Sequence, residues 1–93
     1  LKNITSRGNL FNLLANRNIA RIEISLKNYD AALKALNSIT LDQENSTILS
    51  LKGDALLGLE RTDRAIVQYQ KALEISQISE ERLIIEYKLS KLN

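Results

Sequence analysis

Apolar side chains recur along the chain at intervals of three and four, the spacing that gathers them on one face of an α-helix. Leu10, Leu13, Leu14, Ile19, Ile22 and Leu26 predict a first helix over about residues 9–27, ended by the turn-like Asn28-Tyr29-Asp30. Ala32, Leu33, Leu36 and Ile39 predict a second, and the polar stretch 40–45 reads as the longest linker. Asn45 or Ser46 then offers a side-chain oxygen to cap a third helix reaching about Leu59, with Ile48, Leu49, Ala55, Leu56 and Leu59 facing inward. Thr62 is expected to cap a fourth, with Asp63 at the positive end of its dipole and Ala65, Ile66, Tyr69, Ala72 and Leu73 buried. Ser79 is expected to cap a fifth, which turns Ile85, Leu89 and Leu92 to the core.

Connections of only a few residues fold each helix back on its predecessor. The expected fold is all-α: two antiparallel helical hairpins at about residues 9–39 and 46–76 and a C-terminal capping helix at about 79–92, in one helical-repeat domain over 1–93. A shift of 33 residues lays Ala20 on Gly53, Leu26 on Leu59, Asp30 on Asp63, Ala32 on Ala65 and Leu33 on Ile66. Self-similarity at such a period marks a helical repeat, and the small residues sit where crossing helices need low bulk. The last helix, with Glu81, Arg82, Glu86, Lys88 and Lys91, reads as a polar terminal cap.

Composition narrows the chemistry. The 93 residues carry 13 Lys and Arg against 11 Asp and Glu, and 44% are apolar, which fits one small domain whose thin core leaves no room for an inter-domain cleft. His, Cys, Trp, Met and Pro are all absent. Thiolate and imidazole ligands, disulfides, Cys or His nucleophiles and Ser-His pairs are therefore excluded, and no catalytic residue, metal or cofactor is expected. A net charge of +2, weighted toward Lys2, Arg7, Arg17, Arg21 and Lys27, lacks the dense basic stripe and aromatic platforms of a nucleic-acid binder. No run approaches the roughly 18 consecutive apolar residues of a spanning helix, so no membrane contact is expected here. Leu1 in place of Met leads us to expect a piece of a longer chain.

Leu49, Gly53, Leu56, Ala65, Tyr69 and Ala72 fall where the tetratricopeptide repeat places Trp, Gly, Tyr, Ala, Phe and Ala, so the second hairpin resembles that repeat. Lys52 and Gln77 depart from its usual Leu and Pro; in the first hairpin Ala20 and Ala32 match, and Glu23 takes an aromatic position. A narrower resemblance spans almost the whole chain. The strings NIARIEISLKNYDAALKALNSI and LKGDALLGLERTDRAIVQYQKALE, with a last helix ending YKLSKLN, resemble the C-terminal half of the YfgM family, the ancillary subunit of the bacterial Sec translocon. Stretches 17–24, 29–33, 52–57 and 80–92 occupy the places of that family's helix, turn, repeat-start and closing-helix motifs. The resemblance implies a protein anchored in the bacterial inner membrane by one N-terminal helix. It further implies repeats on the periplasmic face and association with the translocon and a membrane-bound periplasmic chaperone of the peptidyl-prolyl isomerase type. A generic tetratricopeptide scaffold or a self-association domain of a cytoplasmic protein stays open beside it.

In stacked hairpins the first helix of each pair lines a concave side. The repeat's register places Arg17, Arg21, Ile24 and Ser25 there from the first hairpin and Thr47, Ser50, Asp54 and Leu57 from the second, a candidate groove for a protein or peptide. Arg17 and Arg21, one turn apart, suit a single acidic side chain or carboxylate, or else are simply solvated. Ser50 and Asp54 break the pattern of the repeat's carboxylate-clamp form. Glu80 and Glu81 point in different directions and are expected to complement the helix dipole. Tyr29, Tyr69 and Tyr87 are expected half-buried with wet hydroxyls, and Lys52 is expected to lay its stem along the helix rather than act as a nucleophile. The first helix is apolar on more than one side, so Leu10, Phe11 and Leu14 are expected to pack against a second copy, giving a homodimer through this helix.

Overall fold

The computed structural model describes the backbone of residues 2–92 and the side chains of residues 10–92. It holds five α-helices, α1 (Lys2–Ser25), α2 (Tyr29–Asn37), α3 (Ser46–Gly58), α4 (Thr62–Ile75) and α5 (Ser79–Ser90), with a short 3₁₀ turn at Leu41–Gln43 inside the linker and no strand among the described residues. The all-α expectation holds. α1 starts at Lys2 rather than Asn9, because nothing in residues 2–9 breaks a helix and Gly8 is tolerated within it at a cost of about 1 kcal/mol. Each helix packs on its sequence neighbour, and α1 also meets α3. Principal extents of 48 × 29 × 18 Å describe a slab of paired helices rather than a sphere.

The 33-residue repeat is written into the backbone. α1 and α3 both end in a residue with left-handed backbone, Lys27 at φ 62° and Glu60 at φ 63°. Around each, the same two bonds close the helix: Lys27 N–H to the Ile24 carbonyl at 2.9 Å and Asn28 N–H to Glu23 at 2.7 Å, then Glu60 N–H to Leu57 and Arg61 N–H to Leu56, both at 2.9 Å. This Schellman pairing satisfies carbonyls that a helix end leaves orphaned. It also launches the next helix from Asn28 and Arg61, so Thr62 lies inside the first turn of α4 and does not cap it. Ser79 likewise sits inside α5, behind Ile78, and makes no cap bond. Asn45 does cap: its Oδ1 accepts from Ile48 N–H at 2.9 Å.

α3 is apolar on two sides and is buried on both. Ile48 and Ala55 join Ala20, Ala32, Ala35, Leu36 and Ile39 in one cluster between the hairpins. Leu49 and Leu56 join Ala65, Tyr69, Ala72 and Ile85 in the other, and Leu33 touches both. α1 differs from its expected stripe, because Leu13, Ala20 and Ile24 face the core while Leu10, Ile19, Ile22 and Leu26 lie exposed. The bulky residues of α1 fall on two faces, and α2 covers only the one that carries the small Ala20.

Tyr69, expected half-buried, is wholly inaccessible. Its ring lies on Gly53, where an added methyl would come within 2.5 Å of Cε1. Gly53→Ala is therefore expected to destabilise the protein by about 1–3 kcal/mol, as overpacking does at a site that cannot yield; an unchanged melting temperature would show that α3 and α4 are not this close. Glu60→Gly should act in the opposite direction. Left-handed backbone costs an L-residue roughly 1 kcal/mol that glycine does not pay, so the melt should rise by a few degrees.

Candidate functional site

α1, α3 and α5 together line an open depression of about 380 Å³. Arg21 enters it from α1, Thr47, Ser50, Leu51 and Asp54 from α3, and Glu80, Ile84 and Lys88 from α5. Four expected groove residues, Arg21, Thr47, Ser50 and Asp54, are thus brought together. Arg17 lies one turn before Arg21, half-buried, with its Nε buried and without a hydrogen-bond partner among the described residues. Ile24 instead packs against the core between the hairpins, the Ser25 hydroxyl donates to the Ile22 carbonyl at 2.6 Å, and Leu57 lies outside the depression.

Two polar clusters hold α5 in place. In the first, Asp54 accepts from the Tyr69 hydroxyl at 2.5 Å and from Lys88 Nζ at 3.0 and 3.2 Å, with the ammonium 5.6 Å from the Tyr69 ring centroid. Burial first, then the Asp54 hydrogen bond and charge, push the Tyr69 phenol far above its ordinary value, so it remains a donor. In the second, Glu81 accepts from the hydroxyls of Ser46, of Ser76 at 2.5 Å and of Thr47 at 3.1 Å. The Ser46 and Ser76 bonds hold its carboxyl below the usual glutamate range, opposed by burial and helped by Thr47. Arg82 completes the junction by donating to the Leu73 and Ser76 carbonyls at the end of α4. Glu81 therefore does more than complement a dipole: it ties the starts of α3 and α5 to the end of α4.

These inward bonds change the reading of α5 as a polar cap. Glu81, Arg82 and Lys88 are spent on contacts within the chain, and beside the exposed Glu80 and Glu86 the helix shows Leu83, Ile84 and Tyr87, 65, 56 and 63% exposed. Lys52, set in an apolar run, pairs with Glu44 and so ties the linker to α3, both side chains being largely buried. At the other end Leu10 and Phe11 are 53 and 72% exposed and Leu14 is half-buried. Nothing in the apolar periodicity announced the Glu81 cluster. The signal available was the set of hydroxyl residues Ser46, Thr47 and Ser76 at helix ends, where carbonyls and carboxylates seek donors.

No group of three or more His, Cys, Asp or Glu suited to a metal occurs among the described residues, and no helix among them is long and apolar enough to cross a membrane. A family model described as tetratricopeptide repeat-like domain matches residues 5–93. The chain belongs to that family, whose fold points to a protein–protein interaction module. Searches of curated proteins and of solved structures return no match.

The Glu81 cluster predicts how stability follows pH. A carboxyl whose folded value is depressed contributes stability that is complete above its unfolded value and is lost as pH falls through the folded one. Glu81→Gln should therefore cost about 1 kcal/mol at neutral pH, a few degrees of melting temperature, and should flatten the loss of stability on acidification. Melts of both proteins across the acid range would check it, and parallel acid limbs would remove Glu81 from the account.

Proposed function

We propose that this member of the tetratricopeptide repeat-like family is a non-catalytic module that takes a protein partner on the concave side of α1, α3 and α5. The observation that carries the reading is the convergence of Arg21, Thr47, Ser50 and Leu51, from separate hairpins, on one open depression. The carboxylates Asp54 and Glu81 nearby are already bonded within the chain, and neither His nor Cys is available for nucleophilic or acid–base work. At a finer level, we place the protein on the periplasmic face of the bacterial inner membrane, as the C-terminal repeat region of a membrane-anchored protein. There it works beside the Sec translocon and a membrane-bound chaperone of the peptidyl-prolyl isomerase type. This rests on the order and spacing of stretches 17–24, 29–33, 52–57 and 80–92, which resemble the YfgM family and fall on α1, α2, α3 and α5.

A second reading has its own observation. Phe11, Ile19 and Ile22 on α1 and Leu26 just past its end are 72, 47, 58 and 61% exposed. With Ala15 they recur at intervals of four, four, three and four, the spacing of a seam between two helices, which suits a second copy of the chain.

One set of experiments separates the two. A photo-reactive residue at Ser50, in the intact membrane-anchored protein, is expected to cross-link to translocon subunits or the chaperone, whereas one at Gln70 on the exposed side of α4 is not. Equal labelling from both positions would remove the concave side from the proposal. Light scattering of the parent chain decides the second reading: a dimer that Phe11→Glu with Ile22→Glu dissociates supports it, and a monomer at high concentration ends it.

A further inference from the structure

Scattered apolar side chains are ordinary on a protein surface, whereas a contiguous apolar stripe marks an interaction site. Phe11, Ala15, Ile19, Ile22 and Leu26 form such a stripe: at about 100° per residue they fall within about 80° of the helix circumference. All five are exposed, and Leu26, just past α1, keeps the helical path by donating its N–H to the Ile22 carbonyl at 3.0 Å. Leu13, Ala20 and Ile24 take the core contacts from the opposite side of the helix. The stripe is also self-complementary. Its intervals of four, four, three and four read nearly the same from either end, about a centre beside Ile19. Turned end for end, a second α1 sets Phe11 against the partner's Leu26 and the small Ala15 against the partner's Ile22, with the two Ile19 side chains meeting at the axis. Parallel pairing would instead set Ala15 on its own copy and leave a gap between the bulky layers of Phe11 and Ile19.

We propose that two copies of this chain pair through this stripe with their α1 helices antiparallel. This rests on the second reading above, that α1 meets a second copy, and fixes the geometry of the pair. Opposed helix dipoles favour that orientation. It also brings Glu23 alongside Asn12 and Asn16 of the partner subunit, whose amide N–H groups suit a carboxylate. The contact buries on the order of 600 Å² per copy, the lower end of what a stable dimer needs, and Phe11 at 72% exposure supplies the largest share. The pairing is isologous, with its two-fold axis perpendicular to both helices. Arg21, about a third of a turn from the stripe, and the depression it borders therefore open to the same side of the pair in both copies. A parallel pair would turn the two depressions to opposite sides.

The chain has no cysteine of its own, so introduced thiols report the orientation. Phe11→Cys and Leu26→Cys are each expected to stay uncross-linked alone under mild oxidation and to form a disulfide when mixed. Only antiparallel pairing brings these two positions toward the roughly 4.4–6.8 Å between Cα atoms that the bond requires. Nitroxide labels on Asn18→Cys and Ser25→Cys, beside the stripe, leave all five apolar residues in place. In double electron–electron resonance the labels at position 18 are expected level with each other, and those at position 25 offset by about 20 Å along the helix axis. Self-cross-linking of Phe11→Cys, or equal distances from the two label positions, overturns the antiparallel arrangement while the second reading survives. A monomer in light scattering at high concentration leaves the stripe to another occupant and overturns both.

Discussion

The Tyr69 side chain holds the second half of the fold together. Its ring fills the space that only a glycine at position 53 leaves open, so α3 and α4 approach closely. Its hydroxyl reaches Asp54 on α3, and that carboxylate takes the Lys88 ammonium from α5. A single buried phenol therefore fixes the spacing of two helices and the position of a third. A phenylalanine would fill the same volume but leave Asp54 with one donor fewer, and a polar group beside the core that loses its partner costs more than the bond itself contributed. Tyr69 also explains why Asp54 belongs to the scaffold although it borders the depression.

Much of this arrangement was legible in the residues themselves. Apolar intervals of three and four gave five helices, and the 33-residue shift gave the hairpin repeat, because both depend on local spacing that a sequence displays directly. Asn45 was readable as a cap for the same reason. Thr62 and Ser79 were misread, since a preceding left-handed residue in one case and an extended Ile78 in the other moved the helix start one position earlier. α1 was readable as apolar on more than one side, but not for which side its neighbours cover. Periodicity alone does not say which of two apolar faces a neighbour will cover, and the small Ala20, rather than the larger Ile19 or Ile22, marks the side where α2 approaches.

The candidate site was less legible than the fold. Arg21, Thr47, Ser50 and Asp54 follow from the register of the first helices, which transfers between repeats. The state of each group does not transfer. Whether Asp54 is free or bonded depends on Lys88, 34 positions later, and the role of Glu81 depends on Ser46 and Ser76 in two other elements. Such long-range polar contacts leave no periodic trace. The same contacts turned three charged residues of α5 inward, so its exposed surface mixes Glu80 and Glu86 with Leu83, Ile84 and Tyr87 and is less polar than its composition suggested.

The two-sided burial of α3 bears on how the chain folds and comes apart. Nearly every helix contact is with a sequence neighbour, so contact order is low and folding should be fast, in the microsecond to millisecond range of helical proteins. Yet α3 contributes to both core clusters, so neither hairpin owns a complete core without it. Opening should therefore begin at the ends, where α1 leans on the rest mainly through α2 and α5 adds only Ile85 to the buried core beside its polar bonds. Amide exchange would then be slowest in α3 and progressively faster outward, a gradient of local stability along a row of elements instead of one uniform barrier. A surface assembled from α1, α3 and α5 is in this sense rigid at its centre and compliant at both rims.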